Sequence, residues 1–186
     1  MRYERPESVD AAVALLAGAP SRTRVLAGGT DLLVQLRAGM IEPDLVVDIK
    51  SIPGMREITA EDGGFRIGAA VAGAELKEHP EVKRLWPGVV EAVDLIGSTQ
   101  IQGRCTMVGN LCNASPAADS VPAMIAAGAA VRIHGPRGIR DLPVADVITA
   151  PGQSALGDGE IVTSVFLPAR PPRSGDAYLR FIPRTE

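Results

Sequence analysis

Apolar residues recur along the first part of the chain in two rhythms. Between Ser8 and Ala17 they fall at Val9, Ala12, Val13 and Leu16, the i, i+3, i+4, i+7 spacing of one helix face. Ser8 is placed to cap that helix, and Gly18 and Pro20 to end it. A short apolar run, Val25-Leu-Ala27, then carries an extended backbone into Gly28-Gly29, and a second helix follows over Asp31-Leu-Leu-Val-Gln-Leu-Arg-Ala38, up to Gly39. Leu45-Val-Val-Asp-Ile49 is a run of apolar β-formers, the pattern of a buried strand. Residues 1–53 therefore predict a β-α-β unit with a glycine turn at its strand-to-helix corner.

Ile52-Pro-Gly54 marks a boundary, and a second subdomain is expected over residues 54–170. Met55 to Ala60 and Phe65 to Ala70 flank Glu61-Asp-Gly-Gly64, a hairpin turn. From Gly73 to Ile96 the spacing is helical, broken at Pro80 and at Pro87, which suits the first turn of a helix. Ala118 to Ala127 predicts another short helix. Val131 to His134 and Ile139 to Leu142, joined by Gly-Pro-Arg-Gly, predict a second hairpin. Ile161 to Leu167 and Tyr178 to Ile182 have strand composition, and residues 171–186 are expected to serve as a linker or strand leading to a further C-terminal domain. Between the helical stretches lies Ser98 to Asp119, rich in small polar side chains, as in a loop that wraps a ligand.

With 186 residues, 46% of them hydrophobic, the chain can bury a sizeable core, but aromatics make up only 3%, so Val, Leu, Ile and Ala must fill it. The same scarcity leaves little to stack on nucleic-acid bases. A net charge of −3 argues against a polyanionic partner or an anionic membrane surface. No apolar run is long enough to span a bilayer, and Met1-Arg-Tyr-Glu-Arg-Pro-Glu7 lacks the features of a signal peptide, so a cytoplasmic location is expected. Cys105 and Cys112 are too few for a disulfide framework and do not have zinc-ligand spacing; free thiols are expected. His79 and His134 have no cysteine or carboxylate at ligand spacing, so no metal site is expected.

The glycine turn carries the candidate chemistry. Gly28 and Gly29 have no Cβ, so the backbone is free to take positive φ and a ligand can approach the bare peptide units. Their N–H groups and those of the following helical turn would converge on an anion, a phosphate or pyrophosphate. A plain helix start capped by Thr30 fits the same residues. No G-x-x-x-x-G-K-[ST] motif is present, nor a G-x-G-x-x-G between strand and helix.

Taken together, Ala27-Gly-Gly-Thr-Asp-Leu32 and Thr106-Met-Val-Gly-Asn110, followed by Asn113-Ala-Ser-Pro-Ala-Ala-Asp119, resemble the FAD-binding medium subunit of the molybdenum hydroxylases. That family includes bacterial carbon monoxide dehydrogenase, 4-hydroxybenzoyl-CoA reductase and the flavin region of xanthine dehydrogenase. The resemblance, which runs from Tyr3 to the last residue, implies an α+β protein of the PCMH-type FAD-binding fold, with two α/β subdomains and non-covalent FAD in the cleft between them. It implies that Val25, Leu26, Ala27, Gly28, Gly29, Thr30, Asp31 and Leu32 hold the pyrophosphate through backbone N–H groups. Thr106, Met107, Val108, Gly109 and Asn110 would form a second phosphate loop. Asp119 would accept bonds from hydroxyls at the adenosine end, a task suited to a carboxylate. Ile96 would lie against the cofactor, Val162 near the isoalloxazine or its chain, and Arg180 would meet the flavin. Ile96 and Val162 fit equally as core aliphatics, and Arg180 as a solvated cation.

Two positions depart from the family's pattern: Val108-Gly109 stands where two glycines are frequent, and Cys105 where one glycine is common. Neither removes an N–H donor. No cysteine-rich insertion is present, so no iron–sulfur cluster is expected in this chain. Arg184-Thr-Glu186 resembles the point where relatives continue into a C-terminal domain of roughly one hundred residues. The implied function is an electron-transfer flavoprotein subunit within a dimer of heterotrimers. A large subunit would carry the molybdenum cofactor, a small one two [2Fe–2S] clusters, and FAD here would pass electron pairs to NAD⁺, oxygen or a quinone, with no catalytic side chain required. A self-contained flavin oxidase of the vanillyl-alcohol-oxidase type is an alternative, but it calls for a substrate domain and in some members a histidine–flavin bond. A second alternative is a non-catalytic nucleotide-binding scaffold module, which would bind phosphate without a redox chromophore.

Overall fold

A computed structural model describes residues 1–18 and 22–181. Pro20, Ile182 and Arg184-Thr-Glu186, all invoked above, lie outside the described residues.

The chain begins with β1 (Arg2–Glu4), α1 (Val9–Gly18), β2 (Thr23–Leu26), α2 (Leu32–Arg37) and β3 (Leu45–Asp48). The three strands form a parallel sheet in the order β1-β3-β2. β3 is central and all four of its residues are buried, which is why its sequence is apolar without alternation. Ser8 Oγ accepts the Ala11 N–H at 3.2 Å and caps α1, whose Ala12 and Leu16 are buried. The expected β-α-β unit is thus present with one addition, β1. Three residues with mostly exposed side chains carry no period, so only pairing with β3 reveals them as a strand.

The remaining elements are β4 (Ile58–Glu61), β5 (Gly64–Gly68), α3 (Gly73–Glu78), α4 (Pro80–Leu85), α5 (Pro87–Val93), α6 (Thr99–Gln102), α7 (Met107–Cys112), α8 (Ser120–Ala126), β6 (Ala130–Gly135), β7 (Gly138–Pro143), β8 (Ile148–Ala150), β9 (Gln153–Ser154) and β10 (Ile161–Leu167). Five strands make an antiparallel sheet in the order β4-β5-β10-β6-β7, and β8 pairs with β9 apart from it. The β4–β5 hairpin turns on Asp62 and Gly63, both at positive φ (49° and 74°), the conformation a two-residue hairpin favours. Pro80 and Pro87 each open a helix, where a missing N–H costs nothing. α1 packs against both β3 and β6, so one continuous apolar core joins the two sheets.

Three expectations need correction. Ser98 to Asp119 is not an extended loop, for it contains α6 and α7, and its small polar residues serve as helix boundaries, Thr106 Oγ1 accepting the Gly109 N–H at 2.9 Å. Tyr178 to Phe181 is not a strand; its backbone turns to a side chain instead, the Tyr178 N–H donating to Glu91 Oε2 at 2.9 Å. The strand expected from Met55 starts at Ile58, because Met55 is needed in the core, where it is 2% exposed.

The exit of β3 is tied down by one buried carboxylate. Asp48, 3% exposed, accepts from the Tyr3 hydroxyl at 2.5 Å, the Lys50 ammonium at 2.8 Å and the Lys50 backbone N–H at 3.0 Å. Burial alone would raise its pKa, but the bonds from Lys50 and Tyr3 prevail and hold the carboxyl below its ordinary value. Ionised Asp48 therefore stabilises the fold above about pH 4, and that contribution is lost as pH falls through the lowered folded value. We expect Asp48→Asn to cost about 1–3 kcal/mol near neutrality. Urea unfolding at stepped pH checks this: the gap from the unmodified chain should close as pH drops below about 4.

Candidate functional site

Gly28 and Gly29 leave β2 at the C-terminal end of the parallel sheet, where ligands of open parallel sheets bind. A Cβ on Gly28 would lie 2.0 Å from the carbonyl oxygen of Arg104 and 3.1 Å from Cys105 Cα. The glycine is therefore required by the approach of a second backbone, the one that leads into α7. Gly29 sits at φ +80°, and its Cβ would meet Leu26 Cδ1 at 2.8 Å.

The helix that follows is not closed by a side chain. Asp31 occupies the cap position in helical conformation, and no side-chain oxygen takes a helix N–H there; Thr30 does not act as the cap. Among the described residues, no protein acceptor takes the N–H groups of Gly28, Gly29, Thr30, Asp31 or Leu32. The second loop behaves similarly: Gly109 and Asn110 spend their N–H groups on Thr106, while those of Thr106 and Val108 have no protein acceptor among the described residues.

Both loops line one cleft of about 520 Å³, within the range of cofactor pockets. Of the residues singled out from sequence, Val25, Ala27, Gly28, Gly29, Thr30, Asp31 and Leu32 line it from one side. Thr106, Val108, Gly109 and Asn110 do so from the other, with Ile96 and Val162 in the wall. Leu26 and Met107 lie outside the lining, Met107 being buried in the core. Asp119 and Arg180 are also outside it and pair with each other at 3.4 Å, Arg180 reaching the Leu95 carbonyl as well.

Sequence reasoning missed Arg24, Gln35, Asn113 and Glu160 in the lining. Gln35 stands one turn after Asp31 on a helix the sequence predicts, so spacing could have found it; Asn113 stands one turn after Gly109 on α7, which the sequence does not show. Gln35 Nε2 donates to Asn113 Oδ1 at 3.3 Å and bridges the cleft from α2 to the end of α7. Arg24 gives no such signal.

The charges of the lining do not by themselves favour an anion. Among the described residues, the lining holds one cation, Arg24, and two carboxylates: Asp31, whose carboxyl burial pushes above its ordinary value, and Glu160, which pairs with Arg140 at 2.7 Å. The groups in the lining that suit an anion are the open N–H groups, each worth roughly 1.5–3 kcal/mol against a charged acceptor. Cys105 and Cys112 line the cleft as free thiols; burial raises both, Cys112 to about 12, so neither is a thiolate at neutral pH. The histidines are elsewhere. His79 Nδ1 accepts from the Val82 N–H at the start of α4, and His134 lines a separate groove.

Residues 1–170 match the family described as the FAD binding domain in molybdopterin dehydrogenase. The chain belongs to this family. It is 35% identical over 184 residues to the xanthine dehydrogenase FAD-binding subunit of Escherichia coli O157:H7, a match covering 98% of this chain and 63% of the relative. It is 32% identical over 176 residues to the carbon monoxide dehydrogenase medium chain of Hydrogenophaga pseudoflava, covering 95% and 61%. Among solved structures, carbon monoxide dehydrogenase from H. pseudoflava lacking the Mo-pyranopterin moiety aligns with a TM-score of 0.94 at 31% identity, over 100% of this chain and 64% of that one. The chain spans a little under two thirds of the length of these relatives.

The fold is accordingly the α+β, PCMH-type FAD-binding fold, and the family's cofactor is FAD. The cleft fits that group: its open N–H donors suit a pyrophosphate, and its aliphatic wall at Ile96, Ile161 and Val162 suits an aromatic ring system. Gly28→Ala should cost about 1–3 kcal/mol through the clash with Arg104 and weaken FAD retention. Gly103→Ala is the control, since Gly103 has φ −66° and open space around its Cβ position. Its unfolding free energy in urea should stay within about 0.5 kcal/mol of the unmodified chain.

Proposed function

We propose that this chain holds FAD for the electron-transfer subunit of a molybdenum hydroxylase complex. Such a complex would take electrons from [2Fe–2S] clusters in a small subunit and deliver them to NAD⁺, oxygen or a quinone. The reading is supported above all by one observation: N–H groups without protein acceptors among the described residues, on two separate loops, lining a single cleft. When bound, FAD supplies the redox chemistry, gathering electrons singly and releasing them as a pair. The work left to the protein is binding, orientation and exclusion of competing chemistry.

In this reading the backbone of Gly28 to Leu32, with Thr106 and Val108, takes the pyrophosphate. Ile96 and Val162 exclude water from one side of the isoalloxazine. Asp119 receives hydroxyls of the adenosine end and Arg180 meets the flavin, each exchanging its contact with the other for one with the cofactor. Protonated thiols at Cys105 and Cys112 are poor nucleophiles and leave the cofactor unattached. The subdomain boundary falls near residue 53, residues 54–170 form the second subdomain, and 171–186 serve as a linker. The partners are a molybdenum-containing large subunit and an iron–sulfur small subunit in a dimer of heterotrimers, the large subunit choosing the substrate. No described helix is long and apolar enough to cross a membrane.

The purified chain incubated with FAD should keep a flavin absorption spectrum through gel filtration and release it into the supernatant on acid precipitation. Joined with both partners, it should be required for substrate oxidation to reach the final acceptor. A chain that takes up no FAD overturns the cofactor assignment, and a complex that reduces the acceptor equally well without it overturns the electron-transfer role.

A further inference from the structure

We propose that Lys50 is a positioning residue for the anion cradle: by holding the Ala27 carbonyl, its ammonium aims the Gly28 N–H into the cleft. The inference rests on the FAD reading above and adds to it a residue outside the cleft lining.

Lys50 Nζ donates to the Ala27 carbonyl at 3.1 Å. That oxygen and the Gly28 N–H belong to one peptide unit, which is planar and trans. The two groups point in opposite directions, so a donor that fixes the oxygen on one side fixes the hydrogen on the other. Gly28 lines the cleft and Lys50 does not, which places the cation at the back of the peptide and the open N–H at its front.

The lysine is itself held. Its ammonium lies 2.8 Å from Asp48 Oδ1, and Asp48 is kept in place by the Tyr3 hydroxyl and the Lys50 N–H. A chain of contacts thus runs from the edge strand β1, through the exit of β3, to the exit of β2. Such anchoring is needed because the glycines leave the peptide plane free to rotate. The cation also draws electron density from the carbonyl, and the N–H at the other end of the peptide becomes a stronger donor.

The test uses ¹⁵N-labelled chain and flavin fluorescence titration side by side. In Lys50→Met the Gly28 amide proton should shift upfield and FAD affinity should fall about tenfold. Lys50→Arg, which keeps charge and donors, should restore both, and Lys50→Gln, intermediate in shift, replaces Lys50→Met if that variant does not fold. Tyr3→Phe removes a bond to Asp48 but leaves the Ala27 contact, so it should lower the unfolding midpoint and move the Gly28 amide less than Lys50→Met does. The proposal is overturned if the Gly28 amide stays in place without Lys50, or if Tyr3→Phe displaces it equally. It is also overturned if the lysine variants bind FAD as the unmodified chain does. An unmodified chain that binds no FAD removes the cofactor reading, while the amide shift still decides the role of Lys50.

Discussion

Two backbones meet at Gly28 with no room between them for a side chain. One leaves the parallel sheet, and the other, at Arg104 and Cys105, leads into α7. The cleft is the space beside this contact, bounded by the two loops that the contact brings together. A methyl group at Gly28 would have to push the loops apart, and both rows of N–H donors would move with them. The neighbouring Gly73 N–H, which donates to the Cys105 carbonyl at 2.8 Å, fixes the second backbone from behind. Binding geometry in this protein is thus a property of main chain against main chain, and side chains enter chiefly as fillers and props.

That division explains an electrostatic oddity of the site. In the FAD reading, a cleft that would take a diphosphate has two carboxylates and one guanidinium in its wall, yet no charge is misplaced. Glu160 is neutralised by Arg140, and Asp31 is partly withdrawn from water. Peptide dipoles supply the positive potential without counterions and without the rotamer freedom of lysine or arginine side chains.

The elements of this fold that carry a period were legible before any coordinates. α1, the fully apolar β3, the two hairpins with their turn residues and the proline-opened helices all follow from local pattern. What escaped was whatever depends on a distant partner. β1 is a strand only because β3 lies beside it, and Tyr178 to Phe181 has strand composition but no strand to pair with. At the site, the glycines were visible as permissive residues, but the reason for Gly28 lies seventy-odd residues away in the Arg104 carbonyl. Nothing local shows that the Asp48 carboxylate is buried or that the Lys50 ammonium reaches the glycine turn.

β10 occupies the centre of the five-stranded sheet, between β5 and β6, although it is the last of that sheet's strands in the sequence. On a ribosome, both hairpins emerge well before it, each with an inner edge whose backbone groups await a partner. Val131 and Ile133 on β6 and Ile67 on β5, all within 2% of full burial in the finished protein, stay uncovered for that interval. The sheet closes only when residues 161–167 leave the exit tunnel, so this nascent chain depends on holding two sticky edges apart until the strand that fills the sheet's centre arrives.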